Sequence, residues 1–321
     1  MASYTLTDVA VDGFAAVTLS STAADLHATF VPTLGMIGCS LRHRGAELLG
    51  QRKGLAQYAA TGSTMGIPLL HPWANRLSGD VYRVGGRRVA LATAAPLVHR
   101  DGNGLPMHGL LSAYPGWRVV ERAADADGAR LSAALDFAAD PALLAAFPFP
   151  HTLRLDIGLR ERTLAVATEL RASGDVAVPV SFGFHPYLQL PGARRAAWHL
   201  DAPVRRRARL DARGLPSGAT EDADLPPGPL GDRIFDDLYP VLAQPVRFVL
   251  SGGGRRLTLD LDEGYPCAQI FAPRGDAVIC LEPMTAPTNA LVSGDGLRVA
   301  APGTSYRATF SITVAPAASP A

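Results

Sequence analysis

The feature that most constrains this chain is an alternation of apolar and polar residues with a period of two. It runs through residues 25–30 (DLHATF), 151–157 (HTLRLDI) and 163–166 (TLAV), and it returns over residues 306–314. Successive side chains of a strand point to opposite faces, so this period predicts half-buried β-strands. Turn-forming residues separate the runs, as in DGNG at 101–104. The pattern predicts many short strands joined by turns, which is typical of a large β-sandwich.

Glycine and proline limit the helical content. With 32 Gly and 26 Pro spread along 321 residues, long regular helices have little room. Residues 140–147 (DPALLAAF) predict one or two helical turns, whereas residues 210–233, rich in Gly, Pro and acidic side chains, are interpreted as a long surface loop. We expect a single sandwich domain over residues 1–314 and a disordered tail over residues 315–321.

Charge and cysteine content narrow the class of protein. The 30 basic and 29 acidic residues give a net charge of +1, which does not favour nucleic acid or a membrane as a partner. The sequence contains neither a signal-peptide pattern nor ~20 consecutive uncharged apolar residues, so we expect a cytoplasmic protein. Cys39, Cys267 and Cys280 are odd in number and form no CxxC pair, which predicts buried free thiols and no metal site. The basic cluster at residues 205–209 is interpreted as a solvated strand or loop face.

Polar residues interrupt apolar runs at five places, and three of these lie in the first two thirds of the chain. Asn75 and Arg76 end the segment GIPLLHPWANRL, where an amide and a guanidinium together suit sugar hydroxyls. His108 lies in PMHGL. His185 ends the apolar strand VSFGF and is followed by proline, so a rigid backbone holds a side chain that can act as a general acid.

The other two places carry carboxylates. Asp236 and Asp237 lie between apolar neighbours in IFDDLY, and Glu282 follows four apolar strand residues in VICLEP. Burial would raise the pKa of Glu282 and make its carboxylate a stronger base. Neighbouring strand residues face opposite ways, and the alternation alone does not decide which aspartate faces a site. Each of these residues taken singly also fits an ordinary structural role.

Taken together and in this order, the five motifs resemble the aldose 1-epimerases of the galactose mutarotase-like superfamily. That family has an Asn-Arg, then a His-Gly, a His-x-Tyr at a strand end, an Asp and a late Glu, and FPFPHTLRLDIGL at residues 147–159 resembles its Pro-aromatic run before a long strand. The resemblance covers nearly the whole chain. It implies an all-β fold, a large antiparallel β supersandwich with few or no long helices. It also implies an enzyme that needs no metal or cofactor.

The resemblance also implies roles for single residues. His185 would be the general acid and Glu282 the general base in the ring opening and reclosure of an aldose. The implied substrate-binding residues are Asn75, Arg76, His108 and, by its match to the motif, Asp236. The partner would be a small-molecule sugar, and the protein would be a monomer or a homodimer. Departures around Trp73, at Leu188 and at Thr285 leave the choice of sugar open.

Two alternative functions are compatible with the same fold, and a third alternative is an enzyme class with a different reaction. A hexose-6-phosphate 1-epimerase would need extra cations near the pocket, for which Arg42, Arg44 or Arg274 could serve, and a carbohydrate-binding sandwich could have lost catalysis. A glycosidase would use two carboxylates and leave both candidate histidines without a role. Motifs for dinucleotides, for phosphate loops and for acyl transfer do not occur, and the glycines at 252–254 are interpreted as a hairpin turn.

Overall fold

Short strands dominate the computed structural model, which describes residues 3–91, 96–223, 225–241 and 244–317. The strands are β1 (Tyr4–Val11), β2 (Phe14–Ser21), β3 (Leu26–Val31), β4 (Ile37–His43), β5 (Ala46–Glu47), β6 (Leu69–Leu70), β7 (Val81–Val84), β8 (Arg87–Ala90), β9 (Arg118–Ala124), β10 (Ala129–Asp136), β11 (His151–Arg160), β12 (Thr163–Ala172), β13 (Val178–Val180), β14 (Gly183–Phe184), β15 (Tyr187–Leu188), β16 (His199–Asp201), β17 (Arg206–Leu210), β18 (Pro216–Asp222), β19 (Gly228–Pro229), β20 (Phe235–Pro240), β21 (Val246–Gly252), β22 (Arg255–Glu263), β23 (Cys267–Ala272), β24 (Ile279–Met284), β25 (Arg298–Ala300) and β26 (Ser305–Pro316). The helices are α1 (Leu55–Thr61), α2 (Pro141–Ala146) and α3 (Ala290–Ser293), with 3₁₀ turns at Phe137–Ala139 and Arg195–Ala197.

Three sheets carry most of the strands. A five-stranded sheet has the order β1-β2-β3-β4-β5, and a nine-stranded sheet has the order β19-β16-β21-β22-β26-β12-β11-β10-β9. The third sheet has six strands in the order β20-β23-β24-β14-β6, with β15 also paired to β24. The strand pairs in these three sheets are antiparallel. The predicted all-β, antiparallel fold with few helices is confirmed. No helix in the described part of the chain is long and apolar enough to span a membrane.

The period-two segments build the core because they bury every second side chain. Along β11 the buried positions alternate with partly exposed ones from His151 to Leu159. Aromatic contacts then join the six-stranded sheet to the nine-stranded sheet. The ring of Phe184 on β14 lies 5.0 Å from that of Phe310 on β26, and Tyr265 also contacts Phe310 at 6.2 Å. One continuous apolar cluster therefore covers the inner face of the six-stranded sheet and leaves its other face available for a site.

The interpretation of residues 210–233 as a long surface loop is wrong. The segment contains β18, which pairs with β17 as a hairpin, and the short strand β19. Its acidic residues are strand partners of the basic cluster, since Arg206 bonds Asp222 at 2.9 Å and Arg207 donates to Glu221 at 3.0 Å. Glycine, proline and charge obscured an exposed hairpin that cross-strand ion pairs help to hold.

Two local predictions have clear outcomes. The predicted helical turns at 140–147 form α2, which is capped by the Asp140 carboxylate accepting from the Ala142 amide at 2.8 Å. The expected tail began too early, because β26 continues through Pro316 and pairs with β22 there. The last four residues of the expected tail, 318–321, lie outside the described residues.

The segment that leads to Asn75 is held by a close backbone contact. His71 and Gly109 form an isolated parallel bridge, and the Leu110 amide donates to the His71 carbonyl at 2.7 Å. The His71 imidazole is buried and bonds His151 at 2.8 Å, Nε2 to Nε2. Gly109 has a φ of 73°, and a Cβ there would lie 2.1 Å from the His71 carbonyl oxygen. Only glycine fits this crossing.

We expect Gly109→Ala to destabilise the protein more than Gly86→Ala. Gly86 has nearly the same φ, 74°, but a Cβ there meets nothing within 4 Å. Its substitution should therefore lower the free energy of unfolding only by the cost of holding alanine in a left-handed conformation, about 1 kcal/mol. Overlap with the His71 carbonyl should bring the cost at Gly109 to about 3 kcal/mol or more. Urea unfolding of the two variants measures the difference. Equal losses would show that the crossing relaxes freely.

Candidate active site

A polar band crosses the outer face of the six-stranded sheet. The β-register places Gln269 opposite Glu282 and opposite Leu238, and Asp236 lies two residues before Leu238. Since residues two apart on a strand share a face, Asp236, Gln269 and Glu282 point to one side of the sheet. Apolar side chains flank the band on both sides: Leu70, Ala74, Ala208, Leu238, Cys267 and Met284 on one, and Tyr187, Val278 and Cys280 on the other.

His185 and Glu282 form a buried pair within this band. His185 follows β14, and its amide donates to the Pro68 carbonyl at 3.2 Å. Its Nε2 lies 3.2 Å from Glu282 Oε1, with the two side chains 6% and 1% exposed. Among the described residues, Glu282 Oε2 and His185 Nδ1 are buried and have no hydrogen-bond partner. Each member of the pair therefore keeps one polar atom uncommitted.

Burial acts on both members of the pair in opposite directions. Desolvation, followed by the negative charge of Asp236, raises the pKa of Glu282 well above its ordinary value, and Arg76 opposes this. Desolvation, followed by the neighbouring His108 and Arg52, lowers the pKa of His185 well below 6.5. A raised pKa makes the carboxylate a stronger base, and a lowered pKa makes the imidazolium a stronger acid.

A second set of contacts fixes the His185 ring. Tyr187 stacks on it at 4.5 Å with an angle of 10° between the planes, and its hydroxyl lies 3.5 Å from His185 Nε2. Arg52 donates to that hydroxyl at 3.1 Å, and Thr64 shares a 2.7 Å hydrogen bond with it. Arg52 is anchored in turn by Asp276 at 3.1 Å. The imidazole is thus held by a chain of contacts that reaches the protein surface.

Asn75 and His108 come from two loops that meet beside the pair. The His108 amide donates to the Asn75 carbonyl at 2.8 Å, and both residues have positive φ, 64° and 57°. Backbone strain of this kind, in residues other than glycine, is concentrated at functional sites. The His108 ring lies 5.4 Å from that of His185, edge to face. Burial, followed by Arg76 and His99, lowers the pKa of His108 to about 3, so its ring is neutral near pH 7.

Arg76 and Asp236 complete the set. Arg76 donates from Nε to Asp101 at 2.8 Å and from Nη1 to Asn75 at 3.0 Å, and its Nη2 lies 3.7 Å from Asp236 Oδ2. Gln269 Nε2 donates to the other oxygen of Asp236 at 2.6 Å. Asp237 instead faces Arg207 at 3.5 Å. Strand alternation thus assigns Asp236, and not Asp237, to the site.

Most of these side chains line one pocket with a volume of about 300 Å³, and the lining does not include Asp101, Asp237 or Gln269. Its walls include the six residues that the sequence predicts for the site together with hydroxyl and guanidinium groups: Arg52, Thr61, Ser63, Thr64, Asn75, Arg76, Arg100, His108, Ser112, His185, Tyr187, Asp236 and Glu282. Arg42, Arg44 and Arg274 are not part of this lining. Across the described residues, no cluster of three or more His, Cys, Asp or Glu side chains has a geometry that could hold a metal ion.

Four residues that shape the site were not among those predicted from the sequence: Arg52, Asp101, Tyr187 and Gln269. Of these, only Tyr187 lay inside a motif, the HPY that follows β14. Gln269 could have been found from the strand alternation once the partner of Glu282 was known. Arg52 and Asp101 reach their partners through the tertiary fold, and although DGNG at 101–104 predicts a turn at Asp101, no local pattern links either residue to the site.

Comparison with known proteins supplies the family. A model described as aldose 1-epimerase matches residues 31–313, so the chain belongs to the aldose 1-epimerase family. The chain is 24% identical over 311 residues to the uncharacterized protein YihR of Escherichia coli (strain K12), and the match covers 92% of each protein.

Solved structures share the fold. A galactose mutarotase-like protein from Clostridium acetobutylicum superposes with a TM-score of 0.84 at 15% identity, over 98% of this chain and 99% of the other. Galactose 1-epimerase from Lactobacillus acidophilus NCFM gives 0.77 at 14% identity, with the same coverage. The predicted galactose mutarotase-like fold is confirmed.

The buried carboxylate predicts a pH-dependent gain in stability for Glu282→Gln. Above pH 4.5, the ordinary value for Glu, the unfolded chain ionises at this position, while the folded chain keeps the proton to a higher pH because burial raises the pKa of Glu282. Wild-type stability is therefore reduced as the pH rises, and the amide escapes this loss. We expect the variant to be more stable than the wild type by about 1 kcal/mol or more at pH 8, and by less at pH 5.

Urea unfolding at the two pH values measures this difference. The matched control is Glu263→Gln, the same change at an exposed position on β22. A gain of the same size in the control, or a gain for Glu282→Gln that shrinks as the pH rises, would contradict the stated cause.

Proposed function

We propose that this protein is an aldose 1-epimerase that interconverts the α and β anomers of an aldose. The observation that carries the proposal is the buried His185–Glu282 pair, 3.2 Å apart in a polar pocket of about 300 Å³. A pocket of this volume lies at the lower end of the range for small-molecule sites and suits a monosaccharide. Membership of the family supports the same reaction class.

The proposed reaction needs one base and one acid. The Glu282 carboxylate removes the proton of the anomeric hydroxyl, the C1–O1 bond becomes a carbonyl, and the bond from C1 to the ring oxygen breaks as His185 gives that oxygen a proton. Rotation about C1–C2 presents the other face of the aldehyde. Reclosure runs the same steps in reverse, so both groups regain their starting protonation states. Burial favours the neutral forms of both groups, and transfer of one proton across the 3.2 Å from Glu282 Oε1 to His185 Nε2 generates the carboxylate and the imidazolium. In this buried pair the carboxylate is a stronger base and the imidazolium a stronger acid than in water.

The remaining polar groups suit sugar hydroxyls. The neutral His108 ring can donate or accept, Arg76 donates, and Asp236 accepts with the oxygen that Gln269 does not hold. Asn75 offers its amide at the same wall. We assign these groups to substrate binding, and not to proton transfer.

The charge arrangement favours an uncharged aldose over a sugar phosphate. Each guanidinium of the pocket wall already has a carboxylate partner: Arg52 with Asp276 at 3.1 Å, Arg76 with Asp101 at 2.8 Å and Arg100 with Asp80 at 2.7 Å. A phosphate would therefore have to compete with three existing ion pairs. Anomer-exchange NMR is expected to give faster turnover of an aldose, such as glucose or galactose, than of its 6-phosphate.

We expect His185→Asn and Glu282→Gln each to reduce kcat by about 10² to 10⁴, the contribution of one general acid or base. Polarimetry of a freshly dissolved aldose measures the rate. The controls are His27→Asn and Glu263→Gln, which make the same chemical changes on β3 and β22 outside the pocket.

Two results would reject the proposal. Full activity in both variants on the best substrate would remove the assigned acid and base. Binding of a sugar by calorimetry without any anomer exchange by NMR would instead make the protein a carbohydrate-binding member of the fold.

A further inference from the structure

Asp101 belongs to a tight loop that fixes the direction of its carboxylate. Its Oδ1 accepts from the amides of Asn103 at 2.9 Å and Leu105 at 3.0 Å, while its own amide donates to the Leu105 carbonyl. The side chain is 6% exposed. With Oδ1 held by two amides, Oδ2 has one direction left, and it meets Arg76 Nε at 2.8 Å.

Arg76 lies between two carboxylates at unequal distances from its guanidinium. Asp101 forms a direct hydrogen bond with its guanidinium, whereas Asp236 stays 3.7 Å away, beyond hydrogen-bond length. The Asp236 side chain is 46% exposed, and Gln269 holds its Oδ1 at 2.6 Å. The shorter contact of the guanidinium is therefore the one to Asp101.

The opposite side of the guanidinium is closed by the β17–β18 hairpin. Gly214 in its turn has a φ of 75°, and a Cβ there would lie 3.1 Å from Arg76 Nη1. The absent side chain leaves just enough room for the guanidinium. Arg76 is therefore confined between the Asp101 loop and the hairpin, while Asn75 accepts from Nη1 at 3.0 Å.

We propose that Asp101 is a positioning residue that holds Arg76 away from Asp236 and thereby keeps the free oxygen of Asp236 available to the substrate. Gln269 already occupies Asp236 Oδ1 at 2.6 Å, so Oδ2 is the oxygen at stake. Without the charge of Asp101, the guanidinium would bond Oδ2 directly and both groups would be lost to the sugar. The inference rests on the proposed function, since it takes these two groups to bind the aldose.

Asp101→Asn tests this with little change of shape. The amide oxygen can still accept from the Asn103 and Leu105 amides, so the loop is kept, but the NH₂ group now faces Arg76 Nε. We expect KM for the aldose to rise about tenfold or more while kcat changes less, because a binding contact is lost and the acid–base pair is intact. In a crystal structure of the variant, Arg76 Nη2 should move to about 3 Å from Asp236 Oδ2.

Asp125→Asn is the matched control. Asp125 also accepts from the amide two residues later, that of Asp127 at 2.8 Å, and pairs with Arg130, in the turn of the β9–β10 hairpin outside the pocket. Its KM should equal that of the wild type. If Asp101→Asn melts well below this control, Asp101→Ser, which keeps one acceptor for the loop amides, is to be compared in its place.

A double-mutant cycle with Asp236→Asn isolates the mechanism. If Asp101 acts by keeping Arg76 from Asp236, its substitution should raise KM far less when Asp236 is already an amide. Additive effects in the cycle, or an unchanged KM in folded Asp101→Asn, would overturn the proposal. If no aldose is interconverted by the wild type, the proposed function fails, but the Arg76–Asp236 distance in the variant still decides the positioning role.

Discussion

The burial of the Glu282 carboxylate against the His185 imidazole is the interaction around which the site is built. Removing an ionisable pair from water is costly unless its geometry is fixed. Here the sheet register fixes Glu282, and the stack with Tyr187 fixes His185. Apolar clusters on both sides of the polar band exclude water from the pair. The same exclusion raises the pKa of Glu282 and lowers that of His185, so the carboxylate is a stronger base and the imidazolium a stronger acid than in water.

The site divides its tasks between strands and loops. The six-stranded sheet supplies Asp236, Gln269 and Glu282, and the antiparallel register of its strands fixes their positions relative to one another. Loops supply Asn75 and His108, and both residues have a positive φ. Of the proposed proton-transfer groups, Glu282 thus lies on the sheet and His185 directly after β14. Two of the proposed sugar contacts, Asn75 and His108, come from loops, which vary more easily than strands.

Much of the fold followed from local pattern, because strand alternation is a local property. Five places where polar residues interrupt apolar runs are local too, but the six candidate site residues were selected from them by the order of the motifs and their resemblance to the family. What could not be predicted depends on distance in sequence: Arg52 reaches Tyr187 across 135 positions, and Asp101 reaches Arg76 across 25. Part of the β17–β18 hairpin was mistaken for a loop because its strands carry ion-paired polar side chains and little apolar alternation.

The approach of Gly214 to Arg76 has an evolutionary consequence. The hairpin turn that carries Gly214 is exposed and belongs to a two-stranded sheet of its own, so its length and composition can vary without disturbing the three main sheets. A larger residue at this turn would shift the guanidinium and reshape one wall of the pocket, yet it would leave the acid–base pair in place. Substrate range could therefore diverge among relatives through changes in the β17–β18 hairpin alone, while the acid–base pair is inherited unchanged.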